Sequence, residues 1–207
     1  MHDAVWLEDV LTSLATVRPV FHSEADFQHA LAWELHRLHP EAIIRLEVRP
    51  DPDLREAVDL RLIVDGVEIF IELKYLLRSL DLEINGERFV LRNQGAQPLS
   101  RYDVLKDVAR LERFCVSGAK GFAVVLSNDQ ALWKAGGAET IDNAFRIHDG
   151  AELSGTLGWA SHTGAGTNRG REVPIVLRGT YQVAWRSWPV KINDARGHFR
   201  FLVIEVG

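Results

Sequence analysis

Two segments of alternating apolar and polar residues flank the dipeptide Asp65-Gly66, and that dipeptide fixes how they align. Asp-Gly between such segments favours a two-residue hairpin turn, because both positions tolerate positive φ. With that loop Val64 faces Val67, and counting back pairs Ile63 with Glu68, Arg61 with Phe70 and Asp59 with Glu72. Directly opposed residues on one face of an antiparallel pair have Cβ atoms about 4.5–5.5 Å apart. Two carboxylates held that closely repel unless a cation lies between them. Lys74 projects on the same side as Glu72, since side chains repeat every second residue along a strand.

The two faces give an independent check. Val58, Leu60, Leu62 and Val64 form one apolar row, and Val67, Ile69, Ile71, Leu73 and Tyr75 form the other. The hairpin register superimposes these rows, and a one-residue slip would separate them. The preceding stretch, 42–49, alternates in the same way, with Ile44, Leu46 and Val48 against Arg45, Glu47 and Arg49. A three-strand meander is expected, greasy on one side and carrying acids and bases on the other.

Helical patterns bracket the meander. Leu7, Leu11 and Leu14 give residues 3–16 an apolar stripe. Ser23 opens a second helix as a capping residue, with Asp26 where a capping box has Glu or Gln. Its buried stripe is expected to be Phe27, Ala30, Leu31, Leu35 and Leu38, and Pro40 follows its end. Residues 50–55 read as a turn and 80–92 as a hairpin around Asn85-Gly86. Residues 93–99 read as a polar loop, after which Ser100 caps a helix to about Cys115, with Leu105, Val108, Leu111 and Cys115 inward. The compact apolar run 121–127 suits a strand covered on both faces. Residues 129–146 read as helical at each end with a Gly136-Gly137 break, and 154–170 as a mobile loop rich in Gly, Ser and Thr. Residues 181–188 and 198–206 read as strands paired across 193–197.

The chain of 207 residues fits a single domain, 1–207, of mixed α/β or α+β class. Within it, 23–128 forms a core in αβββαβ order and 129–207 a β-rich C-terminal elaboration. One cysteine excludes an internal disulfide and a cysteine-rich zinc site. No apolar run approaches the roughly 20 residues of a membrane helix. The opening Met1-His2-Asp3-Ala4 has neither the basic nor the apolar region of a secretion signal, so a cytoplasmic protein is expected. A net charge of −5 argues against wholesale coating of nucleic acid but permits a local basic strip.

Asp59 on one strand and Glu72-Leu73-Lys74 on the next, behind a helix bearing Glu24 and ahead of a helix and strand, resemble the PD-(D/E)XK nuclease superfamily, the restriction-endonuclease-like fold. The resemblance covers 23–128, with Val58 in place of the motif's proline. It implies a metal-dependent nuclease hydrolysing phosphodiester bonds, most readily of DNA. Asp59 and Glu72 would ligate Mg²⁺ or Mn²⁺ together with the Leu73 carbonyl, and hard cations of this kind favour such oxygen ligands. Lys74 would orient or help deprotonate the attacking water and offset phosphate charge, its pKa falling modestly. The superfamily's helical acid would be Glu24, with Gln28 one turn on, or failing that Glu34; Glu47 would contribute through a water. The alternative for Asp59 and Glu72 is a solvated sheet face with ordinary ion pairs to Lys74 and Arg61.

Lys106, Arg110 and Arg113 recur at helical spacing and suit a phosphate backbone, or else a solvated face interleaved with Asp103, Asp107 and Glu112. Gln97, and with it Gln94, occupies the loop before them, within reach of substrate. His148, His162 and His198 lack metal-ligand spacing, Gly164-Ala165-Gly166 opens no helix, and Ser154 and Ser161 lack a nucleophile elbow. Trp159, Trp185 and Trp188 suit core anchors more than base-stacking platforms. A nuclease-fold module that only binds nucleic acid or protein is the competing function. No membrane partner is expected, and a homodimer is left open, since cutting both strands of a duplex calls for two sites.

Overall fold

A computed structural model describes residues 2–53, 55–116, 118–190 and 192–207. Leu54, in the turn-rich stretch, and Met1, in the opening stretch, lie outside the described residues. Helix α1 spans Ala4–Val17, its first turn capped by Asp3, whose side chain accepts from the Trp6 N–H. Helix α2 spans Glu24–Leu38, and the Ser23 hydroxyl accepts from Asp26 N–H as its cap. Glu24 and Asp26 in its first turn and His36 and Arg37 in its last complement the helix dipole. Leu38 departs from the expected stripe: it is 39% exposed, and the buried face ends at Leu35.

Strands β1 (Ile43–Val48), β2 (Val58–Val64) and β3 (Val67–Leu76) form the expected antiparallel meander. Asp65 and Gly66 have φ of 51° and 76°, the positive values a primed turn demands. Val64 pairs with Val67, Ile63 with Glu68 and Arg61 with Phe70. A hairpin of β4 (Leu80–Ile84) and β5 (Glu87–Leu91) turns at Asn85-Gly86. Helix α3 spans Gln97–Phe114, so it starts three residues before Ser100 and absorbs part of the expected loop. Pro98 falls in its first turn, where a missing N–H costs nothing.

Strand β6 (Lys120–Ser127) runs parallel to β3, from Ile69 beside Lys120 to Leu76 beside Ser127. Beyond it, β10 (Arg200–Val206) and β9 (Trp185–Ser187) complete a mixed sheet in the order β1-β2-β3-β6-β10-β9. The C-terminal third thus supplies two strands of the central sheet. Short helix α4 (Gln130–Trp133) and a 3₁₀ turn (Asn143–Phe145) follow β6. Ser154 to Leu157, expected in a loop, lie in β7 (Glu152–Leu157), which pairs with β8 (Ile175–Gln182) outside the central sheet. The single strand expected at 181–188 is divided, because Tyr181 and Gln182 end β8 whereas Trp185–Ser187 pairs with β10 as β9.

Apolar residues on one face, including Leu60, Leu62, Ile71, Leu73 and Tyr75, pack with α1 and α2. The other face carries Phe70, Val125 and Leu202 under α3 and β8. The charged side of β3 is therefore roofed by α3, whereas that of β1 stays open to water. Val58 packs in this second cluster, although alternation places it with Leu60. No helix among the described residues is long and apolar enough to cross a membrane.

Glu112 of α3 anchors β8. Its buried carboxylate accepts from the N–H groups of Arg178 (2.8 and 2.9 Å) and Gly179 (2.7 Å) and from the Tyr181 hydroxyl (2.7 Å). Glu112→Ala should lower unfolding free energy by about 1–3 kcal/mol, because several part-buried donors lose their acceptor together. Urea unfolding measures this; a change within about 0.5 kcal/mol would mean that β8 is held by its apolar contacts alone.

Candidate active site

The β2–β3 ladder stops at Leu60 opposite Ile71, one pair short of the expected Asp59–Glu72 match. On its other side β2 pairs with β1 at Leu46–Leu60 and Val48–Val58, but the intervening Glu47 and Asp59 form no pair. Glu47 has a φ of 52°, an uncommon conformation for a residue other than glycine. The Gln28 amide of α2 holds this irregularity, donating to Glu47 Oε1 and to the Asp59 carbonyl, both at 2.8 Å. The local break frees the Asp59 side chain from its ladder position.

Released backbone groups on β3 need partners, since buried N–H groups are rarely left unpaired. Asp59 Oδ2 accepts from the Leu73 N–H at 2.6 Å, and Glu24 Oε2 from the Tyr75 N–H at 2.8 Å. A strand acid and a helix acid thus line the same edge, on either side of Lys74. Glu72 and Lys74 share a face, as expected, and point at α3. Lys74 Nζ lies 2.8 Å from Asp107 Oδ2 and donates to the Leu73 carbonyl at 3.1 Å. Arg110 Nη2 lies 2.6 Å from Glu72 Oε2 and donates to Asp107 Oδ1 at 2.8 Å.

Burial sets the electrostatics. Glu72 is 2% exposed and Asp107 6%, while Glu24, Asp59 and Lys74 are half-buried. Burial raises the Asp59 carboxyl above its ordinary range, against the Leu73 N–H and Lys74. Burial likewise raises Glu24, against Lys74 and the Tyr75 N–H. For Glu72, burial, Asp107 and Asp59 together push the carboxyl up to about 9, against Arg110. Lys74 moves opposite to the expected fall: burial pulls its ammonium down, but Asp107, Glu24 and Asp59 outweigh it and raise the pKa. The amine is therefore held protonated, suited to orienting a water and to offsetting anionic charge rather than to taking a proton.

Two features suit a hard divalent cation. Asp59, Glu72 and the Leu73 carbonyl are all oxygen donors, the set that Mg²⁺ and Mn²⁺ favour. Both Glu72 carboxylate oxygens are buried without an aligned hydrogen bond among the described residues, because the Arg110 contact is a close charge pair off the donor direction. No three His, Cys, Asp or Glu side chains among the described residues are grouped to hold a metal, so a cation here would rest on two carboxylates, a backbone carbonyl and water.

The other candidates divide clearly. Glu34 is bound by Ser13 at 2.6 Å and Arg37 at 2.7 Å, and the Arg37 hydrogen bond holds its carboxyl below the usual range. It belongs to the α1–α2 contact, leaving Glu24 as the helical acid of the cluster. Arg110 points inward, not along a solvent-facing stripe, and Arg113 pairs with Glu56. Lys106 is exposed. Gln97 lies within α3 and donates to Asp129 Oδ2 at 3.0 Å. Trp185 and Trp188 are core anchors whose indole N–H groups donate to the Ile147 and Pro19 carbonyls. Trp159 stacks on Tyr102.

Asp107 is the site residue that sequence reading missed. Its charge groups it with a solvated face, yet it falls in line with Val104, Val108 and Leu111 on the buried face of α3. A charge inside an apolar stripe was the available signal. A cleft of about 570 Å³ between β1–β3 and the end of α3 is lined by Arg49, Arg61 and Arg113 with Asp51, Glu68 and Phe70, and none of the cluster's own side chains lines it. Comparison with protein-family models finds no match, and comparison with curated proteins finds none.

Proposed function

We propose that this chain is a divalent-metal-dependent nuclease that hydrolyses phosphodiester bonds, most readily in DNA, on a restriction-endonuclease-like core. The observation that carries the reading is the convergence of Asp59, Glu72, Lys74 and Glu24 around residues 72–75 of β3. The succession α2, β1, β2, β3, α3, β6 supports it, with three antiparallel strands followed by a parallel one and the β4–β5 hairpin inserted before α3.

A bound Mg²⁺ or Mn²⁺ would supply Lewis acidity there, offsetting phosphate charge and making water easier to deprotonate. Asp59 and Glu72 would hold it with the Leu73 carbonyl. Lys74, kept as an ammonium, would orient the attacking water and offset charge on the phosphate oxygens. Glu24 fixes the Tyr75 N–H and thereby the strand on which Lys74 stands. Arg49, Arg61 and Arg113 in the cleft between β1–β3 and the end of α3, with exposed Lys106, would follow the phosphate backbone; Arg61 and Arg113 would exchange their contacts with Glu68 and Glu56. Cleavage of both strands of a duplex would call for a homodimer.

A second reading, a nuclease-fold module that binds without cutting, is favoured by the guanidinium of Arg110 beside Glu72. Incubation with single- and double-stranded DNA and RNA, in Mg²⁺, Mn²⁺ or chelator, separates the two. Metal-dependent cleavage of DNA is expected. Binding without cleavage in either metal would support the second reading, and cleavage undiminished by chelator would overturn the metal mechanism.

A further inference from the structure

Glu72, Arg110, Asp107 and Lys74 form a row of alternating charge beneath α3. Arg110 bridges the two acids at 2.6 and 2.8 Å, and Asp107 bridges the two bases with its two oxygens. The two contacts of Arg110 differ in kind. Toward Asp107 the guanidinium N–H is aligned as a hydrogen bond. Toward Glu72 it is near but misaligned, leaving both Glu72 oxygens without a hydrogen-bond donor among the described residues. The guanidinium is thus shared between the two acids, nearer to Glu72 and better aligned on Asp107.

Charge balance points the same way. Glu24, Glu47, Asp59, Glu72 and Asp107 gather around Lys74 and Arg110, so five acids meet two bases. When all are ionised the cluster carries an excess of negative charge that a divalent ion would offset in part. A buried carboxyl without a counter-charge takes up a proton, so Glu72 is ionised only with a cation close by.

We infer that Arg110 is an internal competitor for the divalent cation: its guanidinium lies against Glu72 where no metal is bound, and it yields that carboxylate to the ion while remaining hydrogen-bonded to Asp107. This rests on the reading of the site as metal-dependent and gives α3 a role in it. Arg110 and Asp107 act as positioning residues that set how tightly the ion is held. Two effects of removing Arg110 oppose each other. The incoming ion no longer approaches a fixed positive group, and this gain is expected to outweigh the loss of a charge that favours ionised Glu72.

Isothermal titration with Mn²⁺ tests the inference on the full chain, without reference to cleavage. Arg110→Met should tighten Mn²⁺ binding about tenfold, equivalent to about 1.4 kcal/mol. Arg110→Lys, which keeps a charge but is too short to reach both acids, should tighten it by a smaller factor. If the methionine variant does not fold, the lysine variant decides by the same sign. Unchanged or weaker binding in the folded variant, with wild type binding Mn²⁺, would overturn the competitor role and leave the nuclease reading standing. Absence of Mn²⁺ binding by wild type would instead remove the metal site itself, and this inference with it.

Discussion

Glu72→Gln is expected to lower metal-dependent cleavage about 10³-fold while leaving the protein as stable as before, or more so, in chelator. The amide keeps the shape of the side chain but carries no charge to hold a divalent ion. Its effect on the fold should run the other way. Glu72 is 2% exposed, beneath α3 and close to Asp107 and Asp59, so its ionised form is costly there. A neutral amide removes that cost, and Arg110 keeps its hydrogen bond to Asp107. Lost activity with undiminished stability marks a residue kept for chemistry at the expense of the fold. An ion pair serving only structure gives the reverse, because deleting one partner strands the other. Single-turnover cleavage rates and thermal midpoints in chelator read the two effects separately. A clear fall in midpoint with cleavage intact would assign Glu72 to the scaffold.

Parts of this site are written in local sequence, and parts depend on contacts between distant segments. Asp65-Gly66 sets the turn and the register by itself, so the shared face of Glu72 and Lys74 follows from counting residues. Ser23 caps α2 and puts Glu24 in its first turn, next to β3. The freeing of Asp59 from its ladder pair has no local signature. It depends on Glu47 adopting a left-handed conformation and on Gln28, a helix residue, satisfying the Asp59 carbonyl. Roofing of the charged face by α3 was also out of reach, because alternation tells one face from the other but not whether something covers the polar one. The short C-terminal strands show the same limit. The run through Tyr181 and Trp188 alternates almost without interruption, yet it is divided between two sheets, and only the pairing of Trp185, Arg186 and Ser187 with Leu202, Phe201 and Arg200 assigns its second half.

Proton release should accompany metal binding, and the stability conferred by the metal should grow from about pH 5 to about pH 9. Glu72 has its carboxyl raised from an ordinary 4.5 to about 9 by burial and by Asp107 and Asp59. In that interval the folded protein without metal holds a proton that the unfolded chain has lost. The stability this contributes is complete below about pH 4.5 and is lost as pH rises through about 9. Asp59 and Glu24, also raised by burial, act with the same sign. Lys74 is raised from 10.5, so its contribution is still complete throughout this window and is lost only above it. A divalent ion binds the ionised carboxylate and so must displace the Glu72 proton, which makes its affinity climb with pH until that proton is gone. Thermal midpoints from pH 5 to 9, with chelator and with Mn²⁺, should therefore diverge for wild type. For Glu72→Gln the separation should be small and nearly independent of pH. Titration calorimetry in two buffers of different ionisation enthalpy counts the protons directly, and about one should be released near pH 7. If the wild-type separation is as flat as that of Glu72→Gln, Glu72 is already ionised beside Arg110 and its raised pKa cannot be what links metal to pH.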